Sequence, residues 1–316
     1  MAHRIIRPSV LLAAMLLSAG CETIIEPDLP TQAPRLVVYA FFAPGQSWSV
    51  AVSHSAEALG SAPIEAVTDA TVEVLLDGAV VERLTYAGGG YRSEGLPVGG
   101  GVYTLRAEAP GYAPVEATDA VPVPVVASVS SATVAASAKV RTRTFTLRLD
   151  DPPGARDFYT VAVTRIDTFA TGSTKRIDLV FSTHDPAILH DAEQWDALEQ
   201  QGTFNGVEAY FTDVFFDGKT SVVELAVSEP AQDPHPAAPR TKAYEVRLRH
   251  VSEVLYRFQR TMRRYAETAG NPFAEPVDVF SNVVRGYGVF AGYREQVLVV
   301  PYTPVEAPAE SADARP

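Results

Sequence analysis

Strand-type segments follow one another with few interruptions, and no other feature of this sequence restricts its possible folds as strongly. Segments rich in β-branched and aromatic residues lie at 35–42, 47–54, 70–76, 79–86 and 102–109. Turn residues separate them at spacings of about 8–12 residues, and Asp77-Gly78 supplies the positive φ that a tight hairpin needs. Short strands at this spacing with no helical period predict an Ig-like β-sandwich over residues 35–121.

Within this region, G-x-Y-x-L-x-A at 101–107 followed by P-G-Y at 110–112 resembles the small Ig-like modules related to carboxypeptidase regulatory domains. The prolines of Val121-Pro-Val-Pro124 end the region and predict a stiff joint at 122–126. Strand signals then resume, and they predict a second β-rich domain over residues 127–302. The strand segments of this second domain are 142–149, 158–167, 175–182, 207–216, 219–227 and 243–251. The fold class is therefore mainly β, in two domains. Residues 303–316 are rich in proline, alanine and acids, and are predicted to be a disordered tail.

Two helices are predicted inside the second domain. The first lies near 186–201, with Asp185 as its N-cap, Pro186 in its first turn and Gly202 at its end. The second lies near 253–268, with Ser252 as its cap. Its predicted buried face is formed by Val254, Leu255, Phe258, Met262 and Tyr265.

Cys21 is the single cysteine, and it follows a short apolar run. Arg4 and Arg7 precede that run, which covers 10–17 and is too short to span a bilayer. Small residues follow it, so residues 1–20 are predicted to be a secretory signal that is cleaved between Gly20 and Cys21. The segment L-S-A-G-C resembles the lipobox of bacterial lipoproteins, and that resemblance implies lipid on the Cys21 thiol. The alternative is an unmodified thiol after an ordinary signal.

Residues 21–34 carry Pro27, Pro30 and Pro34, and are predicted to be a tether between the lipid and the folded body. No metal or other cofactor is predicted. The formal net charge of the chain is −12, and removal of residues 1–20 would make it more negative by two. An acidic body repels nucleic acid, so no nucleic-acid partner is expected.

Basic residues are concentrated between Arg240 and Arg264. This segment contains eight lysines and arginines and only two glutamates. On the second predicted helix, Arg257, Arg260 and Arg264 are candidates for a basic docking face toward lipid head groups or an acidic partner. The alternative interpretation is an ordinary solvated face.

Motifs for catalysis are weak in this sequence. Gly88-Gly-Gly90 and Gly99-Gly-Gly101 precede strands rather than a helix, so they predict turns and not a phosphate loop. The acids and histidines at 184–193 have no zinc-type spacing. Asp213, Asp217 and Glu224 lie near a predicted hairpin and are the acids that a hydrolase reaction would use. Aromatic side chains that stack on sugars or fill the core are Trp48, Tyr86, Tyr91, Tyr103, Phe211, Phe215 and Phe216.

Several segments resemble domain-of-unknown-function family 4249, a set of Gram-negative envelope lipoproteins. They are G-N-P-F-A-E-P-V at 270–277, S-N-V-V-R-G-Y-G-V-F at 281–290, D-P-P-G at 151–154 and F-F-D-G-K at 215–219. In the second of these, Gly286 and Gly288 predict a bend with close backbone approach, and Phe290 is predicted to point inward. The resemblance implies an envelope protein that is often encoded beside TonB-dependent outer-membrane receptors.

Together with this resemblance, these patterns predict a non-enzymatic protein anchored to the outer membrane by lipid, on its periplasmic or its outer face. The resemblance implies a TonB-dependent receptor as the partner and assistance to that receptor in uptake as the role. An envelope hydrolase or a glycan-binding protein is the alternative, and a plain structural spacer is a third.

Overall fold

A computed structural model describes residues 33–55, 64–136, 140–195, 202–230, 235, 238–269, 271, 273–275 and 277–303. The predicted signal at 1–20, Cys21, most of the tether and residues 304–316 of the predicted tail lie outside the described residues. In the part described, no helix is long and apolar enough to cross a membrane.

Strands make up most of the described chain. In chain order they are β1 (Leu36–Phe42), β2 (Ser49–His54), β3 (Thr71–Leu76), β4 (Ala79–Ala87), β5 (Gly90–Arg92), β6 (Val102–Glu108), β7 (Val115–Ala120), β8 (Val126–Ala136), β9 (Val140–Asp150), β10 (Phe158–Thr168), β11 (Thr174–Leu179), β12 (Phe181–Thr183), β13 (Phe204–Gly206), β14 (Glu208–Thr212), β15 (Thr220–Pro230), β16 (Arg240–Val251) and β17 (Tyr287–Pro301). The helices are α1 (Pro186–Trp195) and α2 (Glu253–Thr268). The mainly β fold class is confirmed.

These strands form two sheets. The larger has the order β11-β10-β16-β17-β1-β2-β5-β4-β3-β6-β7, with β14 also paired to β10. The smaller has the order β13-β12-β15-β9-β8. One buried cluster contains Phe145 and Leu147 of β9 together with Val161 of β10 and Val246 of β16. The smaller sheet therefore packs on the β10–β16 part of the larger one, as in a sandwich.

The last strand connects the beginning of the chain to its end. The first part of β17 pairs in parallel with β1, with Val38 opposite Gly288. The rest of β17 pairs antiparallel with β16, from Tyr293 to Pro301. One compact unit begins at Pro34. The predicted boundaries at 121 and 127 stay predictions, but residues 287–292 clearly extend the sheet of the first region.

The glycines at the start of β17 confirm the predicted close backbone approach. Gly288 has φ +106°, and a methyl group there would collide with the carbonyl oxygen of Val38. A methyl group at Gly286 would lie 2.5 Å from the carbonyl oxygen of Leu36. Arg285, which precedes them, also has a positive φ of 65°. The chain turns sharply here and then runs directly against β1. Side chains at positions 286 and 288 would therefore collide with the β1 backbone.

Phe290 points inward as predicted. It is fully buried, and its ring centroid stacks 4.4 Å from that of Phe42. Trp48 packs against the same pair, with its ring centroid 5.2 Å from that of Phe42. The core of the N-terminal strands therefore includes an aromatic side chain from the other end of the chain.

The predicted caps are confirmed for both helices. Asp185 Oδ1 accepts hydrogen bonds from the backbone N–H groups of Ala187 and Ile188, at 2.9 and 3.2 Å. Ser252 Oγ accepts one from Leu255 N at 3.1 Å, and α2 has the predicted limits. The predicted end of α1 lies outside the described residues. Tyr265 was expected on the buried face of α2, but half of it is exposed because it lies in the last turns, beyond the packed part of the helix.

Candidate functional site

Three aspartates meet where two strands of the larger sheet approach the end of β9. Asp151 follows β9, Asp157 precedes β10 and Asp213 follows β14, which pairs with β10. One carboxylate oxygen of each lies within 4.8 Å of the others. Asp151 and Asp213 are buried, and Asp157 is partly buried. We call these three residues the aspartate cluster.

Hydrogen-bond donors from the protein surround the aspartate cluster. The Tyr159 hydroxyl donates to Asp151 Oδ1 at 2.5 Å, and Gly218 N donates to Asp151 Oδ2 at 2.9 Å. His250 Nε2 lies 2.8 Å from Asp157 Oδ1. The Tyr159 ring stacks on the His250 ring, with centroids 4.9 Å apart. These internal bonds compensate much of the cost of burying the carboxylates.

The contacts of His250 show that its Nδ1 atom carries a proton. Its Nδ1 is 2.9 Å from the carbonyl oxygen of Val123, which only accepts hydrogen bonds, so Nδ1 must carry a proton. Nε2 then either donates a second proton to an ionised Asp157 or accepts one from a neutral Asp157. In both states one proton is shared between His250 Nε2 and Asp157 Oδ1.

Burial governs the acidity of the cluster. It raises the pKa of Asp157, and the charge of His250 and its hydrogen bond work in the opposite direction. Burial also raises the pKa of Asp213, and the neighbouring aspartates add to that effect. The pKa of Tyr159 is raised by burial and by its bond to Asp151. The cluster can hold a proton. With one ligand oxygen from each aspartate it offers three ligands, fewer than the six to eight of a typical calcium site.

A family model matches most of the chain, and the matched region includes the aspartate cluster. The family model described as "Domain of unknown function (DUF4249)" matches residues 22–297. The chain belongs to this family. A search of curated proteins finds no match. The DUF4249 match includes the D-P-P-G segment, which contains Asp151, and the F-F-D-G-K segment, which contains Gly218.

The three acids considered for a hydrolase do not form one buried group, although Asp217 is close enough to Asp213 to raise its pKa. Asp213 belongs to the aspartate cluster, whereas Asp217 is exposed and its Oδ1 accepts from Gly154 N at 2.9 Å. Glu224 is exposed on β15. Sequence reasoning missed Asp157 and His250, which lie 93 positions apart. The only available signal was the position of Asp157 between the D-P-P-G turn and the strand that begins at Phe158.

The candidate basic docking face is only partly present. Arg257 and Arg264 are exposed, but Arg260 is buried, so its assignment to that face is wrong. Arg260 points into the protein because Asp191, also buried, lies there: its Nη2 donates to the Asp191 carbonyl oxygen at 2.9 Å. Arg257 lies over the Phe280 ring, 4.2 Å from its centroid.

The other sequence candidates have structural roles. Asp191 accepts hydrogen bonds from the Tyr256 hydroxyl at 2.6 Å, and the His184 Nε2 atom lies 2.9 Å from Thr203 Oγ1. Most of the aromatic candidates fill the cores. The buried ones are Trp48, Tyr91, Tyr103, Phe211 and Phe216. Phe215 is the one of the set that is more than half exposed.

Asp119 connects three elements and has an unusual acidity. Its Oδ2 accepts from Ser252 Oγ at 2.5 Å and from Gly292 N at 2.7 Å. It thereby ties β7 to the cap of α2 and to β17. Burial raises its pKa to about 6, although both hydrogen bonds favour the charged form. The folded protein therefore binds a proton at Asp119 more tightly than the unfolded chain does.

This acidity predicts a pH dependence of stability. The raised pKa of folded Asp119 stabilises the fold below about pH 4, and this contribution is lost as the pH rises through 6. The expected loss is about 3 kcal/mol, at 1.36 kcal/mol per pKa unit. Urea unfolding at several pH values should show this component in the wild type and not in Asp119→Asn. Asp150→Asn, at an exposed carboxylate, should keep it, and an unchanged pH profile in Asp119→Asn would contradict the assignment.

Proposed function

We propose that this protein is an envelope lipoprotein, anchored to the outer membrane through Cys21, that acts as a non-enzymatic accessory or binding protein of a TonB-dependent uptake system. The supporting observation is where the family match begins. It starts at residue 22, directly after Cys21, and the segment before it has the features of a cleaved signal. A mature chain that starts at Cys21 would contain the whole matched region and nothing of the signal.

Lipid on Cys21 explains how a chain of this kind would stay at a membrane. One acyl chain gives only marginal attachment, and two or more give stable attachment, at about 0.8 kcal/mol for each buried methylene group. A bacterial lipoprotein carries two or three chains. The folded body then needs no membrane-spanning helix of its own.

Replacement of the anchoring thiol tests the proposal. We expect Cys21→Ser to move the protein from the membrane fraction to the soluble fraction and to abolish its labelling with palmitate. Ser18→Ala, a change three residues earlier that keeps a small side chain, is the matched control and should leave both unchanged. A Cys21→Ser protein that stays membrane-bound and still incorporates palmitate would refute the anchor.

The accessory role depends on a partner, and the exposed basic side of α2 is a surface that an acidic partner would fit. Arg257 and Arg263 there are each paired within the helix, with Glu253 at 3.8 Å and Glu267 at 3.1 Å. Exposed pairs of this kind contribute little to stability, so a partner displaces them at low cost. Affinity purification of the lipidated protein from native membranes should recover a TonB-dependent receptor. Recovery of no receptor after crosslinking would refute this role.

A further inference from the structure

Two arginines of β9 point into the space between the two sheets. Arg143 lies on the same face of β9 as Phe145, Leu147 and Leu149, which are fully buried in the core. Arg143 itself is only 7% exposed. Arg141 lies two residues earlier on the same face and is partly buried. A charged residue that continues an apolar row is expensive to bury and requires an explanation.

A small cavity lies in front of these arginines. It has a volume of about 30 Å³ and is lined by Arg141, Arg143, Arg165, Glu229, Pro230, Thr241, Tyr244 and Tyr302. We call it the arginine cavity. Pro230, one of the lining residues, is exposed, so the cavity lies close to the surface of the described part of the chain. A water molecule needs about 10–15 Å³ of such cavity volume, so the cavity accepts a group of a few atoms. The rest of a ligand would stay outside it.

Two carboxylates lie near the arginine cavity, those of Glu229 and Asp167, and both accept hydrogen bonds from Arg165. Glu229 Oε1 accepts from Arg165 at 2.5 Å, and Glu229 Oε2 accepts from the Tyr244 hydroxyl at 2.6 Å. Asp167 Oδ2 accepts from Arg165 at 2.9 Å, and Asp167 Oδ1 accepts from Thr241 at 3.1 Å. Glu229 is directly opposite Arg141 in the β15–β9 pairing, yet its carboxylate turns toward Arg165 and Tyr244.

Arg141 and Arg143 therefore have only neutral partners in the described structure. Arg143 Nη2 donates to the carbonyl oxygen of Thr303 at 3.1 Å, and its guanidinium lies 5.1 Å from the Tyr244 ring centroid and 5.5 Å from that of Tyr302. Arg141 donates to the Tyr302 hydroxyl at 2.7 Å. Among the described residues no carboxylate forms an ion pair within 4.0 Å of either guanidinium, so their charges are not neutralised within that part of the chain.

We propose that the arginine cavity binds a carboxylate group, held by Arg143 and Arg141. Guanidinium groups bind planar carboxylates through paired, charge-assisted hydrogen bonds. The Tyr244 and Tyr302 rings hold the Arg143 plane in place before the ligand arrives, which lowers the entropic cost of binding. Among the described residues, these three arginines against the two carboxylates leave one positive charge, which matches one monoanion. The carboxylate belongs either to a free small molecule or to the C-terminus of a peptide.

A matched pair of probes tests this site. N-Acetylglycine carries the carboxylate, and N-acetylglycinamide is the same molecule with a neutral amide in its place. In titration calorimetry with the full chain in detergent and a carboxylate-free buffer, the acid should bind and the amide should not. Trialanine with a free or an amidated C-terminus separates the two sources: binding of N-acetylglycine alone indicates a small molecule, and binding of free trialanine as well indicates a peptide terminus.

Substitutions locate the binding. Arg143→Gln should weaken N-acetylglycine binding about tenfold or more, the loss expected for a charge-assisted pair. Arg148→Gln, at an exposed arginine further along β9, should leave it unchanged. If Arg143→Gln does not fold, Arg141→Gln gives the same comparison. Equal behaviour of acid and amide in the wild type, or equal weakening in Arg148→Gln, would overturn the proposal.

Discussion

Gly288→Ala is expected to destabilise the protein by at least about 3 kcal/mol and to leave much of it unfolded. Two effects add at this position. The backbone at Gly288 has φ +106°, a conformation that residues other than glycine rarely adopt. The new methyl group would also meet the Val38 carbonyl of β1, which cannot move away without breaking the parallel pairing. Urea unfolding followed by tryptophan fluorescence measures the loss, because Trp48 packs 6.2 Å from Phe290.

Two other glycines separate these effects. Gly111 has φ +83° and open space around it, so Gly111→Ala should cost only about 1 kcal/mol. Gly286 has no positive φ but lies against the Leu36 carbonyl, so Gly286→Ala reports the collision alone. If Gly288→Ala is no less stable than Gly111→Ala, the backbone of β17 does not lie against the Val38 carbonyl of β1.

Arg260→Gln is expected to cost about 3–5 kcal/mol, because it removes a buried guanidinium that donates to the Asp191 carbonyl oxygen and whose charge favours the buried Asp191 carboxylate. Arg260 is 5% exposed and Asp191 is 2% exposed. The positive charge of Arg260 lowers the pKa of Asp191, against the dominant effect of burial, which raises it. Without that charge the Asp191 pKa rises further. Part of the lost stability should therefore return at low pH, where Asp191 becomes protonated.

Arg264→Gln is the matched control for this change. It lies one turn further along α2, it is exposed, and its replacement should alter stability by less than about 0.5 kcal/mol. Thermal unfolding of both variants at neutral and at acidic pH provides the comparison. Equal stability of the two variants would mean that the charge and the hydrogen bond of Arg260 do not stabilise the fold around Asp191.

Local signals were sufficient for the fold class and for the ends of several elements. The Asp77-Gly78 hairpin turn, the Asp185 cap and the Ser252 cap each depend on residues a few positions apart, and all three are present. The sequence also predicts the close approach at Gly286 and Gly288, because glycine in or beside a strand marks a place where another part of the backbone comes near.

Contacts between distant parts of the chain were not predictable from a single sequence. The parallel pairing of β1 with β17 joins Val38 to Gly288, and no local pattern specifies it. The aspartate cluster needs His250 and Asp157 to meet from different strands. Arg260 and Arg143 carry charges that normally indicate an exposed position, and tertiary packing places both in the interior.

The partnership of β1 with β17 has a consequence for biosynthesis. A chain that emerges from its N-terminus makes β1 early, but the strand that completes its sheet follows only from Tyr287 onward. Until then one side of β1 is an open edge with unpaired amide and carbonyl groups, the kind of edge that attracts other strands. Shortened products that end before Tyr287 would keep the unpaired edge of β1 permanently. The newly made chain therefore needs protection from aggregation until β17 has been synthesised and has paired with β1.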